Sequence, residues 1–429
     1  MRRLHTARRA HQQGVAALIV VIVLFFILAL VTAYAGRTLI FEQRTSVNNQ
    51  RAAQAFEAAE SGLEFAIGLL SRGRVDTQCV ASSALADDTF RQRHLSVNDA
   101  GEFSVPGAKA DLRPTCMLLE GGPSCSCPIA GAPALVPPVG GLAPTFQLRF
   151  DNAGIAQAGV VRATSRGCSN IGTQCYAASA NNADAVAEVS VLLGLNSALA
   201  TPPAAALTVR NTLNLNDRAV TIVNADVPSR GITIDAGGPI VNDGSVRLSS
   251  VPGTPGSASV LASDTSLSSL LDGDRMFVSL FGMDRTTYRT QPAAVQVTCS
   301  ADCGTDIGIA VARNPGRVIW VQGPATISSA QVWGTASQPV MLVVQGDLTM
   351  SANVQLFGVL YLHDGAGSNT WTTTVGTTLI QGAVVAEGSL SLDGTPTIVF
   401  NPAVLRTINL TQGSMVRIPG SWRDFAAGS

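Results

Sequence analysis

The chain has 429 residues, too many for one ordinary hydrophobic core and too few for many domains, so two or three folded units are expected. Aromatic residues make up 5% and charged residues 13%, while glycine fills 41 positions, a balance that suits an extended, turn-rich β protein better than a compact enzyme. The net charge is -1, with Arg2, Arg3, Arg8 and Arg9 crowded at the start and a mildly acidic remainder whose Lys and Arg are scattered, which excludes the electrostatic footprint of a nucleic-acid binder.

Residues 15–34, VAALIVVIVLFFILALVTAY, carry no charge and at 1.5 Å per residue cover about 30 Å of hydrocarbon. They predict a membrane helix, and the arginines before it predict a cytoplasmic N-terminus with the rest of the chain exported. A secretory signal peptide is the alternative, because Ala33-Tyr34-Ala35 offers a small-x-small cleavage site. Against it, the apolar run exceeds a usual signal core and the helical pattern resumes directly afterwards. From Thr38 to about Ser71 there is no proline, and Phe56, Ala59, Leu63, Ile67 and Leu70 recur at spacings of three and four. Glu57 and Glu64 lie to one side of this stripe and Glu60 borders it. The expectation is one helix of more than fifty residues, half in lipid and half packing on the chain's own body or on partners.

These residues carry a resemblance. His11-Gln12-Gln13-Gly14 before Val15 resembles the end of a type III prepilin leader, and Arg51-Ala-Ala-Gln-Ala-Phe56-Glu-Ala-Ala-Glu60-Ser-Gly-Leu63 resembles the conserved stretch of the PilX-type minor pilins. A weaker likeness lies in Phe281-Gly282-Met283, Gln291-Pro292-Ala293 and the ending Pro419-Gly-Ser-Trp-Arg-Asp424, which are similar to segments of long members of that group. The resemblance implies a leader of residues 1–14, cleavage by a prepilin peptidase between Gly14 and Val15, N-methylation of Val15, and a pilin-like helix over residues 15–72. Pilins usually carry Glu at the fifth residue after the cleaved Gly, where it neutralises a neighbour's N-terminal amine. Here that position is Ile19, which favours a tip-located or priming subunit over a repeating fibre subunit.

Residues 73–196 hold six of the eight cysteines and several Pro or Gly clusters, with strand-like runs at Phe146 to Phe150 and Val186 to Leu193. They predict a small disulfide-stapled α+β or all-β domain on the upper half of the helix. An even cysteine count beyond the apolar helix fits an oxidising compartment. Cys168 with Cys175 and Cys299 with Cys303 are the favoured pairs, while the connectivity of Cys79, Cys116, Cys125 and Cys127 is open. A metal site at Cys125-Ser-Cys127 is disfavoured, because no histidine lies near and no zinc-ribbon spacing is present.

Residues 197–429 change character. Short β-branched runs such as Val318 to Val321, Val340 to Val344, Val359 to Leu362 and Ala383 to Ala386 are closed by glycines at 323, 346, 365 and 388, in steps of 23, 19 and 23. About twenty residues per step suits one coil of a parallel β-helix-like solenoid, with a β-sandwich as the alternative. Asp264 to Cys303 breaks the pattern and reads as an inserted helix-and-loop element. The fold class is therefore mainly β, with a long N-terminal transmembrane helix.

No catalytic constellation is visible. Asp347, Asp364 and Asp393 each adjoin a glycine and read as turn residues, and His363 beside Asp364 reads as a solvated turn pair. Outside the leader the chain has only His94 and His363, and Asn242-Asp-Gly244 and Asp272-Gly-Asp274 read as turns, not Ca²⁺ ligands. Trp320 suits the core, whereas Trp333 and Trp371 are better placed for exposed contacts, with Trp422 near the end. The expected function is non-enzymatic: a minor pilin-like subunit of type IV pilus assembly, without cofactor or metal. Its expected partners are other pilins, a prepilin peptidase and the inner membrane, and its body is periplasmic or displayed on the pilus. A membrane-tethered adhesin contacting a surface glycan or host, and a type II secretion pseudopilin, are the alternatives.

Overall fold

The computed structural model describes residues 13–98, 101–131, 135–136, 143–152, 158–170, 185–270, 272–299, 301–363 and 367–424. One helix, Gln13–Leu70, dominates its N-terminal part. From Ala17 to Ala35 it is apolar and exposed on every side, as a helix is when lipid is its solvent. Its last five turns lie across an antiparallel sheet ordered Gly413–Arg417, Val186–Ser197, Val160–Cys168, Thr145–Asp151, Thr115–Leu119, Gly122–Ser126. The core between them holds Leu63, Leu69, Leu70, Phe90, Phe146, Leu148 and Val191. Cys79 bonds Cys127 and Cys116 bonds Cys125, the second pair directly opposite one another in register. The thiols of Cys125-Ser-Cys127 are thus disulfide-bonded, and Cys299 bonds Cys303. Cys168 is disulfide-bonded, and Cys175 lies outside the described residues.

The rest of the chain coils through two parallel sheets. One is ordered Arg247–Ser249, Thr221–Val223, Thr397–Phe400, Thr378–Ala386, Val354–His363, Val340–Gln345, Val318–Gln322, Ala294–Thr298. The other is ordered Ile240–Val241, Leu213–Asn214, Ser389–Asp393, Ser368–Thr373, Leu348–Met350, Ala325–Ile327. Val318 pairs with Met341, Met341 with Val359 and Val359 with Ala383, so successive coils advance by 23, 18 and 24 residues. Parallel stacking of this kind is β-helix-like and is not a β-sandwich, whose sheets are antiparallel. The continuous apolar runs have a physical cause. Val354–His363 and Thr378–Ala386 are covered on both faces, by the coil interior and by helix Pro402–Thr411, with Phe277 of helix Gly273–Phe281 also packed on Tyr361.

Two features of the topology rest on pairings between distant segments. First, the coils do not stack in chain order. The early strand Leu207–Val209 pairs with Thr378–Ala386, so residues 207–261 extend the stack beyond its last coil. The chain must then return to the far end, about 34 Å away at roughly 4.8 Å per strand step. Residues 264–293 make this return. It contains helices Thr265–Ser268, Gly273–Phe281 and Arg285–Thr290, each capped by an aspartate side chain from 264, 272 or 284.

Second, the stack is inserted between two neighbouring strands of the antiparallel sheet. The chain leaves that sheet after Val186–Ser197 and re-enters it through Gly413–Arg417, which pairs with that same strand. The expected C-terminal unit of residues 197–429 therefore does not run to the end of the chain, because residues 413–417 belong to the first sheet. Short-range patterning cannot reveal a strand pairing separated by more than two hundred residues.

Candidate functional site: the stalk helix and its docking

The stalk is one helix with two environments. Leu18 to Gln50 are exposed apart from a half-buried Gly36, and within them Ile19, Leu24, Phe25, Phe26 and Leu30 present bare hydrocarbon. Among the described residues this is the one helix long and apolar enough to cross a membrane. Gly14 and Val15 fall within its first turn. The leader residues before Gln13 lie outside the described residues.

The upper half docks through small residues. Ala55, Ala58, Ala59, Leu63, Ala66, Leu69 and Leu70 are buried, whereas Ile67 is half-buried and Phe56 is 38% exposed. The backbones approach so closely that a Cβ built on Gly167 would lie 2.0 Å from the Ala55 carbonyl oxygen and 2.4 Å from the Ala59 nitrogen. A Cβ on Gly62 would lie 2.1 Å from Ser165 Oγ. The expected stripe thus divides, with Ala59, Leu63 and Leu70 facing the sheet and Phe56 at its border. The signal overlooked in the sequence is the spacing of Ala55, Ala59, Gly62 and Ala66, small residues at three- and four-residue steps.

The chain's end straps this helix. Trp422 packs edge-on against Phe56 with ring centroids 6.3 Å apart, and its indole N–H donates to Glu60. Arg417 pairs with Glu64 at 2.7 Å, and Arg423 exchanges backbone hydrogen bonds with Ser190. At the top of the helix Arg91 ties three segments together, donating to the carbonyls of Leu70, Thr411 and Gly413. Burial pushes its guanidinium pKa down to about 10. Ser71 Oγ accepts from the Met415 amide. His94 is enclosed between Phe90 and Phe150, and desolvation, helped by Arg93 and Lys109, lowers its pKa to about 3, so it is neutral.

Asp347 accepts the Thr370 amide at a turn, Asp393 pairs with the exposed Arg218, and Asp364 lies outside the described residues. Asn242 takes a left-handed turn conformation and its side chain bonds Asn214, while Asp272 caps a helix. His363 is not a solvated turn residue. It is buried, its Nδ1 lies 3.1 Å from Glu387, and the buried Glu387 also accepts from Tyr361 at 2.8 Å and from Arg285 at 2.7 Å. Arg285 in turn pairs with Asp274. This cluster pins the return helices to the stack, alongside Phe277 packed on Tyr361 and Trp320. Trp333 and Trp371, the tryptophans weighed as candidates for exposed contacts, are fully buried because alternate side chains of their strands point into the coil. Neither can serve as a sugar platform. Among the described residues no group of three or more metal-ligating side chains is assembled.

No curated protein matches the sequence. Among solved structures, the competence-associated pilin ComZ from Thermus thermophilus matches over 87% of this chain and 97% of its own length, with 12% identity and a TM-score of 0.21. At that score the likeness carries no argument about this chain. Residues 13–64 match the PilX N-terminal family model, and that match falls on the long apolar helix with its bare lower half, so the stalk of this chain is pilin-like.

Proposed function

We propose that the chain is a non-enzymatic minor pilin that primes or tips a type IV pilus, after cleavage by a prepilin peptidase between Gly14 and Val15 and methylation of the new N-terminus. The bare lower stalk carries the reading: a helix apolar on every side and free of its own body is available to other pilin helices in the membrane and then in a filament. The first arginines orient it with the body in the periplasm.

Two further observations favour the tip. Ile19 leaves the position of the usual pilin glutamate uncharged, so a neighbour's N-terminal amine gains no counter-charge here. The coil stack also sits on the helix end farthest from the span, where the Arg74 amide bonds the Arg313 carbonyl. A body of that size above the helix leaves the underside free for incoming subunits and obstructs addition above it. Gold labelling of the stack on sheared pili tests this: label confined to filament ends is expected, and label spaced along the shafts would overturn the tip assignment.

A further inference from the structure

The seam between the first sheet and the coil stack concentrates positive charge in a chain that is otherwise acidic. The first fourteen residues hold four of the 28 Lys and Arg and none of the 29 Asp and Glu, which leaves 24 bases against 29 acids, a net charge of -5. Against that background, a cavity of about 360 Å³ is lined by Arg72, Arg91, Lys109 and Arg317, and by no carboxylate. It adjoins a second of about 590 Å³, lined by Arg72, Arg74, Arg313 and Arg317, again with no carboxylate. Arg72 and Arg317 border both, so the two form one trough.

We propose that this trough is a binding site for a phosphate-class oxyanion, either the free ion or the phosphate group of a small saccharide. Elsewhere in the molecule, Arg149, Arg162, Arg218, Arg285 and Arg417 stand beside an Asp or Glu. Among the described residues none of the six seam cations has a carboxylate within 4 Å. Arg91 and Lys109 donate only to backbone carbonyls, Arg317 to two carbonyls and the Asn314 amide oxygen. Arg72 and Arg313 make no side-chain hydrogen bond at all among the described residues and project at the rim. Asp88 is the acid that acts on Lys109, and it does not line the trough.

Half-burying cations without counter-charge is unfavourable, most of all where two of them meet. The Arg317 pKa is pushed down to about 10, chiefly by burial and then by Arg72. An oxyanion would offset both by direct attraction. Arginine forks suit its geometry, and the first cavity has the size of an ordinary small-molecule site. The headgroups of the anchoring bilayer are excluded as the source. If residues 15–34 span it, the 36 helical residues above raise the trough about 54 Å beyond the membrane.

The test uses the full chain in neutral detergent micelles, titrated calorimetrically with inorganic pyrophosphate and with glucose 6-phosphate at matched ionic strength against chloride. Saturable binding of at least one is expected. Arg72→Gln and Arg313→Gln, which remove no hydrogen bond in the fold, should each weaken it about tenfold and leave the melting temperature in chloride unchanged. Arg247→Gln, on an exposed strand remote from the trough, should change nothing. Tighter binding of the sugar ester identifies a phosphorylated saccharide, and equal affinity identifies the free ion. Absence of saturable binding by both, or undiminished affinity in the double variant Arg72→Gln/Arg313→Gln, overturns the proposal.

Discussion

Replacing Gly167 by alanine adds one methyl group at the closest approach of helix and sheet, and the outcome can be worked from the distances. The new Cβ would sit 2.0 Å from the Ala55 carbonyl oxygen, 2.4 Å from the Ala59 nitrogen and 2.9 Å from its Cα. Ordinary contact begins near 3.4 Å, so helix and strand must separate by about 1.4 Å. All three obstructing atoms are backbone, and no side chain can rotate away. Overpacking of this kind costs about 1–3 kcal/mol, and the separation also loosens the contacts of Leu63 and Phe146 beneath it. We expect about 2–3 kcal/mol, read as a lower denaturant midpoint of the full chain in micelles, with Trp422 fluorescence following helix undocking because that ring rests on Phe56. The control lies in the same helix. A Cβ on Gly68 meets nothing within 4 Å, so Gly68→Ala should be neutral or stabilise by about 0.5–1 kcal/mol. Equal midpoints for Gly167→Ala and the parent chain would refute the close-docking argument.

The remaining predictions concern the buried groups and the strap. Glu387→Gln should destabilise the return helices by about 1–3 kcal/mol, because Arg285 loses its buried counter-charge and keeps only the exposed Asp274, seen as faster amide exchange across residues 273–290. His94 has a folded pKa near 3, below its ordinary 6.5, so the unfolded chain takes up its proton first. The stability it contributes is present above pH 6.5 and is lost as pH falls towards 3. Between pH 7 and pH 5 this amounts to about 2 kcal/mol, and His94→Phe should flatten that slope in denaturant midpoints. Arg417→Ala should cost at most about 1 kcal/mol, since its pairing with Glu64 is largely exposed; a larger loss by the same measurement would mean that the strap bears more than the ion pair.

What the sequence revealed, and what it hid, follows the range of the forces involved. The apolar span, the resumed helical period and the glycine-closed β-branched runs are local patterns, and each corresponds to an observed element. Steps of 23, 19 and 23 between glycines reappear as coil advances of 23, 18 and 24 residues. The stacking of residues 207–261 beyond the last coil, and the return of residues 413–417 to the first sheet, depend on pairings that no window contains. His363 was misplaced for a related reason. A polar residue at a strand end reads as solvated until a partner such as Glu387 arrives from another coil and helices cover both. The favoured helix stripe included Ala59 but missed Ala55, Gly62 and Ala66, the other small residues on the docked face. Arg91 carried no signal, because its partners are backbone carbonyls from distant segments.

The account rests on a stalk that keeps its apolar helix after processing. N-terminal sequencing and intact mass of the mature protein, recovered from membranes and from the sheared surface fraction, test it most directly. The account predicts a mature chain beginning at Val15 with a methylated amine in both fractions. A chain beginning at Gly36, after the Ala33-Tyr34-Ala35 site, or one still carrying Met1 in the sheared fraction, would contradict it.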